Sequence, residues 1–381
     1  MALFTTLARM WLTRSWRPFQ FRNEYDQVLP YDECKKMGLY VHIPFCRTLC
    51  DFCPYCKVPY EPERANRYVE NLLQEIRLVC TNHPKREVTS LYFGGGTPAL
   101  LYQRLEEIIQ ELRRYFVITE GIGGELHPSD VTIPVLQELR RAGVTKLSIG
   151  IQSFQKKYQT LLGRSSVDYS AISAALTKVP FETVSFDFIF ALPGQTISDL
   201  ICDVDLAFQL GANHVALYPF IDFSFAKSDV QAMNNPDKRK LLNEITAYLE
   251  KNGCTRTSIW TFSNEKGACY SSMTRENFLG FGCSATTLLN GQFKINTFSP
   301  EAYGDRISHG RLPTSLTLRF SKRQRMVYYL FWTAYSTWVD PKEFQLFFGE
   351  ELSSWYGVEF WLAQRLGWLE KKDGKYHLTL N

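Results

Sequence analysis

The chain has 381 residues, 45% of them hydrophobic and 14% aromatic, with ten cysteines and a net charge of +4 from 43 basic and 39 acidic side chains. That length supports one large core and a smaller appended unit, and a nearly balanced charge spread along the chain excludes a polyanion-binding surface, so no nucleic-acid partner is expected. No apolar stretch reaches the roughly 18 residues of a membrane span, and the cysteines read as thiols of a reducing, cytoplasmic protein rather than as the disulfide framework of a short secreted one.

Residues 1–37 form an arm in which Trp11, Trp16, Phe19 and Phe21 alternate with Arg9, Arg14, Arg17 and Arg22, and no acid precedes Glu24. The arm reads as a structural segment packed on the domain; it resembles a transit peptide only in its basic character. Its aromatic and basic side chains also suit it to close over a pocket. From Gly38 onward, β-rich runs alternate with amphipathic ones, which predicts βα units around a parallel sheet. The expected strands cover 39–43, 90–94, 122–126, 146–150, 184–190 and 214–218. Helical spacing of apolar residues marks 64–80, 102–115, 131–142, 198–210 and 237–252. Six such units are fewer than the eight of a closed barrel, so residues 38–290 are expected to form an α/β fold, a partial (β/α)6 TIM-like barrel with its working loops at the C-terminal strand ends. Residues 291–381 turn to aromatic-rich helices and end in a hairpin at Asp373-Gly374. This predicts a small C-terminal helical, winged-helix-like domain that packs as an accessory unit.

The chemistry concentrates after the first strand, in HIPFCRTLCDFCPYCK, where Cys46, Cys50 and Cys53 form a Cys-x3-Cys-x2-Cys array. Three thiolates can hold three irons of a 4Fe-4S cluster and leave the fourth open to a ligand. Cys53 and Cys56 also form one Cys-x2-Cys pair, the half-motif of a zinc site, although zinc normally takes four ligands. The second strand ends in Gly94-Gly95-Gly96-Thr97-Pro98, where a glycine run lets backbone approach a ligand closely. Glu125, Gln152, Arg164 and Asp187 fall at or near later strand ends. A carboxylate there can accept from ribose hydroxyls and an arginine can clamp a carboxylate. Taken singly, each also reads as a cap or a loop-satisfying polar group.

The array, with Phe52 just before its third cysteine, resembles the signature of the radical S-adenosylmethionine (SAM) superfamily, and Tyr40-Val-His-Ile-Pro-Phe-Cys46 is similar to its HemN-like branch. That branch holds oxygen-independent coproporphyrinogen III oxidases, HemW heme chaperones and two-SAM methyltransferases. The resemblance runs from about residue 38 to 290. It implies that Cys46, Cys50 and Cys53 ligate the cluster, and that Tyr40, Gly95 and Glu125 contact the SAM bound to it. Phe52, Gly96, Thr97, Gln152, Arg164 and Asp187 are implied contacts as well, most of them to a second SAM. Pro219 and Thr286 fall at further contact positions but differ in residue type from the family pattern. The implied chemistry is one-electron cleavage of SAM to a 5′-deoxyadenosyl radical, with the electron supplied by a donor such as a flavodoxin or ferredoxin, acting on a small-molecule substrate.

Three reactions follow from the branch: methyl or methylene transfer from a second SAM to an unsaturated carbon, oxidative decarboxylation of porphyrinogen propionates, and non-enzymatic heme carriage. The chaperones carry a His-Asn-x-x-Tyr-Trp motif where this chain reads CYSSMTRENFLGFGCSA, and the oxidases carry a fourth cysteine two residues after the third, where here Cys56 stands three residues on. Both departures favour the two-SAM transferase. No catalytic side chain is assigned; Cys56 and Cys283 are candidates either as reactive thiols beside the pocket or as small buried packing residues. His42 is expected to support the cluster loop, and His127 to be a satisfied strand-end polar group or a catalytic one. Cys34, Cys80, Cys202, Cys254 and Cys269 show no ligand spacing.

Overall fold

The computed structural model describes residues 2–23, 29–164, 167–223, 230–264 and 276–380. Twelve strands join one sheet. They are β1 (Gly38–Ile43), β2 (Leu91–Gly95), β3 (Ile122–Leu126), β4 (Lys146–Gln152), β5 (Thr183–Phe190), β6 (His214–Pro219), β7 (Thr255–Arg256), β8 (Thr261–Ser263), β9 (Phe278–Phe281), β10 (Thr286–Leu289), β11 (Gln292–Asn296) and β12 (Thr314–Arg319). Their spatial order is β7-β8-β6-β5-β4-β3-β2-β1-β9-β10-β11-β12. β1 to β6 pair in parallel, as expected from the sequence. β9 adds a further parallel strand on the other side of β1, with Gly38 opposite Phe278 and Val41 opposite Phe281. The order does not close on itself, and the fold is α/β around a large parallel sheet.

Side chains alternate between the two faces of each strand: Val184, Phe186, Phe188 and Phe190 of β5 share one face and are all buried, while Ser185 and Asp187 point to the other. The helices between them are α2 (Pro62–Cys80), α3 (Tyr102–Tyr115), α4 (Ile133–Ala142), α5 (Lys156–Leu161), α6 (Tyr169–Lys178), α7 (Ile197–Gln209) and α8 (Asn235–Lys251). α2 buries Tyr68, Val69, Leu72, Leu73, Ile76 and Val79 along one stripe, each large apolar side chain contributing about 1.5–3 kcal/mol of burial. It packs against α3 and against α9 (Pro300–Ser308). α7 starts at a reciprocal capping box between Thr196 and Asp199, which satisfies two of its free backbone donors.

The β10–β11 hairpin spans the boundary expected at 290/291, and the sheet runs on to Arg319. A separate small core follows, built from Met326, Tyr329, Val339, Phe344, Leu352 and Tyr356. It joins α10 (Lys322–Ala334), α11 (Pro341–Phe348) and α12 (Leu352–Arg365) to β13 (Trp338–Val339), β14 (Leu369–Lys372) and β15 (Lys375–Leu378). These three strands pair in the order β13-β15-β14, and the expected turn at Asp373-Gly374 joins the last two with both residues at positive φ, as a two-residue hairpin of this twist requires.

The arm begins as α1 (Ala2–Thr13) and rests on α10. Beyond it Phe19 meets Phe320, Phe21 meets Phe293, and Arg22 pairs with Thr317 of β12 through backbone hydrogen bonds. Those contacts make the arm a cover for the outer edge of the sheet rather than a lid over the strand ends. Among the described residues, no helix is long and apolar enough to cross a membrane.

Candidate active site

The C-terminal ends of β1 to β6 carry the residues singled out in the sequence. After β1 the chain makes a two-residue strand, Phe45–Cys46, that pairs with Val58–Pro59 and closes the intervening segment into a loop holding Cys50, Cys53 and Cys56. Lys57 Nζ donates to the Cys50 and Cys53 carbonyls at 2.5 and 2.7 Å, folding the loop back on itself. The Thr97 hydroxyl points at Cys46 Sγ at 3.9 Å, so the glycine-rich turn meets the cysteine loop. Burial pushes the Cys46 thiol up to about 11.

The donor set fits a cluster. Three half-buried thiols sit on one loop braced by Lys57, and in a cluster each thiolate takes its own iron. Beside the loop lies a cavity of about 320 Å³ lined by Arg47, Cys50, Thr97, His127, Asp130 and Arg164, among others. Asp130 Oδ2 and Arg164 Nε face no partner although buried, and buried polar atoms without partners are where a polar ligand is expected to complete the bonding.

The glycine turn is sterically fixed. A Cβ on Gly95, which has φ +118°, would stand 2.6 Å from the His42 ring, and one on Gly96 would stand 2.6 Å from the Phe45 carbonyl oxygen. Gly94 abuts Glu125 and Tyr40, a Cβ there reaching each at 3.1 Å. Glu125 accepts from the Gly95 N–H at 3.1 Å and from the Tyr92 hydroxyl at 3.0 Å, and the Tyr40 ring stacks on Tyr92 at 6.4 Å between centroids. Burial, with the nearby Asp187 carboxylate, lifts the Glu125 carboxyl to about 7. Asp187 accepts from the Ser185 hydroxyl at 2.9 Å and from that of Ser148, and burial lifts it to about 6. Two carboxyls on β3 and β5 thus face one interior.

Gln152 ends β4 in a left-handed conformation, φ +70°, that few non-glycine residues adopt. Its amide lies over Gly150, a Cβ there coming within 2.9 Å of Nε2 and 3.9 Å of Arg164 Nη2. The Arg164 guanidinium in turn sits 5.9 Å from the Phe52 ring centre. Gln152, Arg164 and Phe52 are therefore neighbours, far apart in sequence but gathered at the cysteine loop. Pro219 ends β6 opposite Phe190, and Thr286 opens β10 opposite Ile295.

Four contributors were not singled out in the sequence: Tyr92, the serines 148 and 185 that hold Asp187, and Tyr218. Tyr218, beside Pro219, is half-exposed; burial of its hydroxyl and the Asp187 and Glu125 carboxylates push it upward. Strand alternation was the available signal, since Tyr218 and Pro219 point to opposite faces. His42 lies in β1 with Nδ1 on the Tyr40 hydroxyl at 3.0 Å and Nε2 on the Cys56 carbonyl at 3.1 Å, a bracing role in keeping with expectation. His127 accepts from the Ser129 N–H at 3.2 Å and caps the turn 128–130. The Cys56 thiol donates to the Phe298 carbonyl at 3.0 Å, and Cys283 is buried after Gly282, its N–H donating to the Tyr68 hydroxyl at 2.9 Å. Segment 265–275, which holds the first seven residues of the stretch compared with the heme motif, Cys269 among them, lies outside the described residues.

Residues 40–207 match the model of the Radical SAM superfamily. The heme chaperone HemW of Lactococcus lactis subsp. lactis (strain IL1403) is 28% identical over 272 residues, covering 68% of this chain and 71% of that one. The oxygen-independent coproporphyrinogen III oxidase of Escherichia coli (strain K12) is 31% identical over 239 residues, covering 59% of this chain and 52% of that one. In structure the chain superposes on Escherichia coli coproporphyrinogen III oxidase (HemN), described as a radical SAM enzyme, with a TM-score of 0.79 and 20% identity, covering 98% of this chain and 95% of that one. The family uses a 4Fe-4S cluster and SAM as its cofactors. With the cysteine loop, the glycine turn and the strand-end polar groups in one place, residues 40–207 carry a radical SAM domain, on a fold like that of HemN.

Proposed function

We propose that the protein is an enzyme that transfers a methyl or methylene group from a second SAM to an unsaturated carbon of a small organic substrate. The observation that carries the reading is the pair of half-buried carboxyls, Glu125 and Asp187, on separate strands and facing one interior. Each suits hydrogen bonds to an adenosyl ribose, and Gln152 and Arg164 stand apart from Glu125 as a second set of polar contacts. When bound, the cluster and SAM supply one-electron cleavage of the sulfonium and hence a 5′-deoxyadenosyl radical able to take a hydrogen atom.

The chain's own residues do the rest. Cys46, Cys50 and Cys53 hold the cluster, and Lys57 keeps their loop closed. Gly95 turns its N–H inward and fixes Glu125, while Tyr40 and Tyr92 wall the interior. Arg164, backed by Phe52, offers an unpaired Nε to a carboxylate. The aromatic walls keep water from a radical that would otherwise be quenched. An electron donor such as a flavodoxin or ferredoxin and a reducing cytoplasmic setting belong to this reading.

Two other readings have support. The relatives that are oxygen-independent coproporphyrinogen III oxidases favour oxidative decarboxylation of a porphyrinogen, and those that are heme chaperones favour heme carriage. The deciding experiment is anaerobic reconstitution with iron and sulfide, reduction, and analysis of products from methyl-labelled SAM with candidate substrates. Deoxyadenosine together with S-adenosylhomocysteine and label in the product supports transfer. Deoxyadenosine with carbon dioxide released from coproporphyrinogen III supports the oxidase reading, and tight heme binding without SAM cleavage the chaperone reading. In the same preparation, Cys46→Ala, Cys50→Ala and Cys53→Ala are each expected to lose most of the iron bound by the wild type; full iron retention in all three would remove the cluster assignment.

A further inference from the structure

Apolar side chains usually fill the interior of a barrel-like sheet, yet here four polar ones stand there in a row. Glu125 of β3 lies opposite Ser148 of β4, Ser148 opposite Ser185 of β5, and Ser185 opposite His214 of β6. Neighbours in a parallel register share one face of the sheet. Ser148, Ser185 and His214 are buried, the last two at 0% exposure, and a buried polar row costs stability unless its members bond one another.

The bonds converge on Asp187, two residues beyond Ser185 on the same face. The Ser185 hydroxyl donates to Oδ1 at 2.9 Å and the Ser148 hydroxyl donates to Oδ2. A serine has one hydrogen to give, so the His214 Nδ1 that meets Ser185 Oγ at 2.9 Å carries a proton and donates to it. Burial lowers His214 to about 4 and keeps the ring neutral, which leaves Nε2 as an acceptor facing the Thr257 hydroxyl at 3.4 Å. Thr257 is joined at 2.8 Å to Thr261, and Thr261 donates to Ser258 at 2.7 Å. A chain of bonds thus runs from Asp187 through β5 and β6 to the β7–β8 end of the sheet. An ionised carboxylate has about four acceptor sites. The serines take one on each oxygen, and the one left on each suits the two hydroxyls of a vicinal diol.

We propose, on the reading that Asp187 accepts from an adenosyl ribose, that His214 is a positioning residue for SAM: acting through Ser185, it fixes the Asp187 carboxylate so that both oxygens meet the ribose hydroxyls. His214 itself touches no ligand. Without its Nδ1–H, the Ser185 hydroxyl loses the donor that sets its rotamer, and the carboxylate loses a fixed partner on one side. The ribose then has to order a group that the folded protein already held. A histidine kept only to fill space would be replaced by leucine without this loss.

The test uses the full-length protein reconstituted anaerobically with iron and sulfide, and reads iron content and equilibrium dialysis of labelled SAM. Asp187→Ala first defines the SAM whose binding depends on that carboxylate. His214→Leu keeps the bulk and removes the donor; it is expected to weaken that binding at least about tenfold with iron content unchanged. His214→Asn, whose amide nitrogen can stand in for Nδ1, is expected to stay within about threefold of the wild type. Ser185→Ala should lose as much as His214→Leu, and the double variant no more than either alone, because one path joins them. Ser185→Ala also decides if the leucine variant misfolds. SAM binding retained in His214→Leu or Ser185→Ala, or lost equally in iron-replete His214→Asn and His214→Leu, overturns the positioning role while Asp187 keeps its ribose contact. SAM binding unchanged in Asp187→Ala overturns the ribose contact itself, and the role of His214 with it.

Discussion

Gly95 shows how little freedom the site leaves a single residue. Its positive φ and its contact with the His42 ring together forbid a side chain, so Gly95→Ala is expected to destabilise the protein by about 1–3 kcal/mol. It should also abolish SAM retention, because the displaced N–H no longer fixes Glu125; equilibrium dialysis of labelled SAM against the reconstituted variant checks this, and near wild-type binding would refute it. The carboxyls give a second consequence at this scale. Glu75, which accepts from Tyr303, Gly282 and Asn296, is lifted by burial from 4.5 to about 7, as is Glu125, while Asp187 moves from 3.8 to about 6. The folded protein therefore binds more protons than the unfolded chain between those limits. Stability is greatest at and below the lower values and falls as pH rises toward 7. Glu75→Gln removes one such titration. The apoprotein variant is expected to lose up to about 3 kcal/mol less than wild type between pH 5 and pH 8, read from urea unfolding at the two pH values.

Among the elements, the six parallel strands and the helices between them were legible because their apolar runs and glycine turns are local signals. Tyr102–Tyr115 and Ile122–Leu126 lie where expected to the residue. β9 was not legible. It is four residues long, contains a glycine, and joins the sheet by pairing with β10 and, across most of the chain, with β1, the second a contact no local pattern encodes. Glu75 was hidden for a related reason: an acid in the amphipathic run LLQEIRL reads as solvated, and only the packing of α9 and the Gly282 turn over α2 buries it. Of the site, the three loop cysteines, Gly95 and Glu125 stood out by motif, whereas Tyr218, Ser148 and Ser185 have meaning only once strands become neighbours. At the same scale, α10 is tied to the main sheet by Arg325. Buried at 3% exposure, it donates to the Asn290 carbonyl at 2.6 Å and to that of Glu276. Arg325→Ala leaves both carbonyls without this donor. We expect hydrogen exchange across 322–334 to accelerate at least about tenfold, as local opening becomes about 1.4 kcal/mol easier; unchanged protection would show that the small core alone holds α10.

The molecule as a whole is a sheet with two differently finished ends. One ends in the short antiparallel pair β7 and β8; the other ends in β12, a six-residue strand. The backbone bridge between Arg22 and Thr317, flanked by Phe19 and Phe21 on Phe320 and Phe293, occupies part of that second end. A strand edge stripped of its cover is a template for a neighbour's backbone. Removing residues 1–23 is therefore expected to leave the cysteine loop folded yet to turn the protein into a self-associating one, with light scattering rising steeply with concentration where the intact chain stays unchanged. The arm then serves solubility more than chemistry: it is a built-in plug against intermolecular sheet growth.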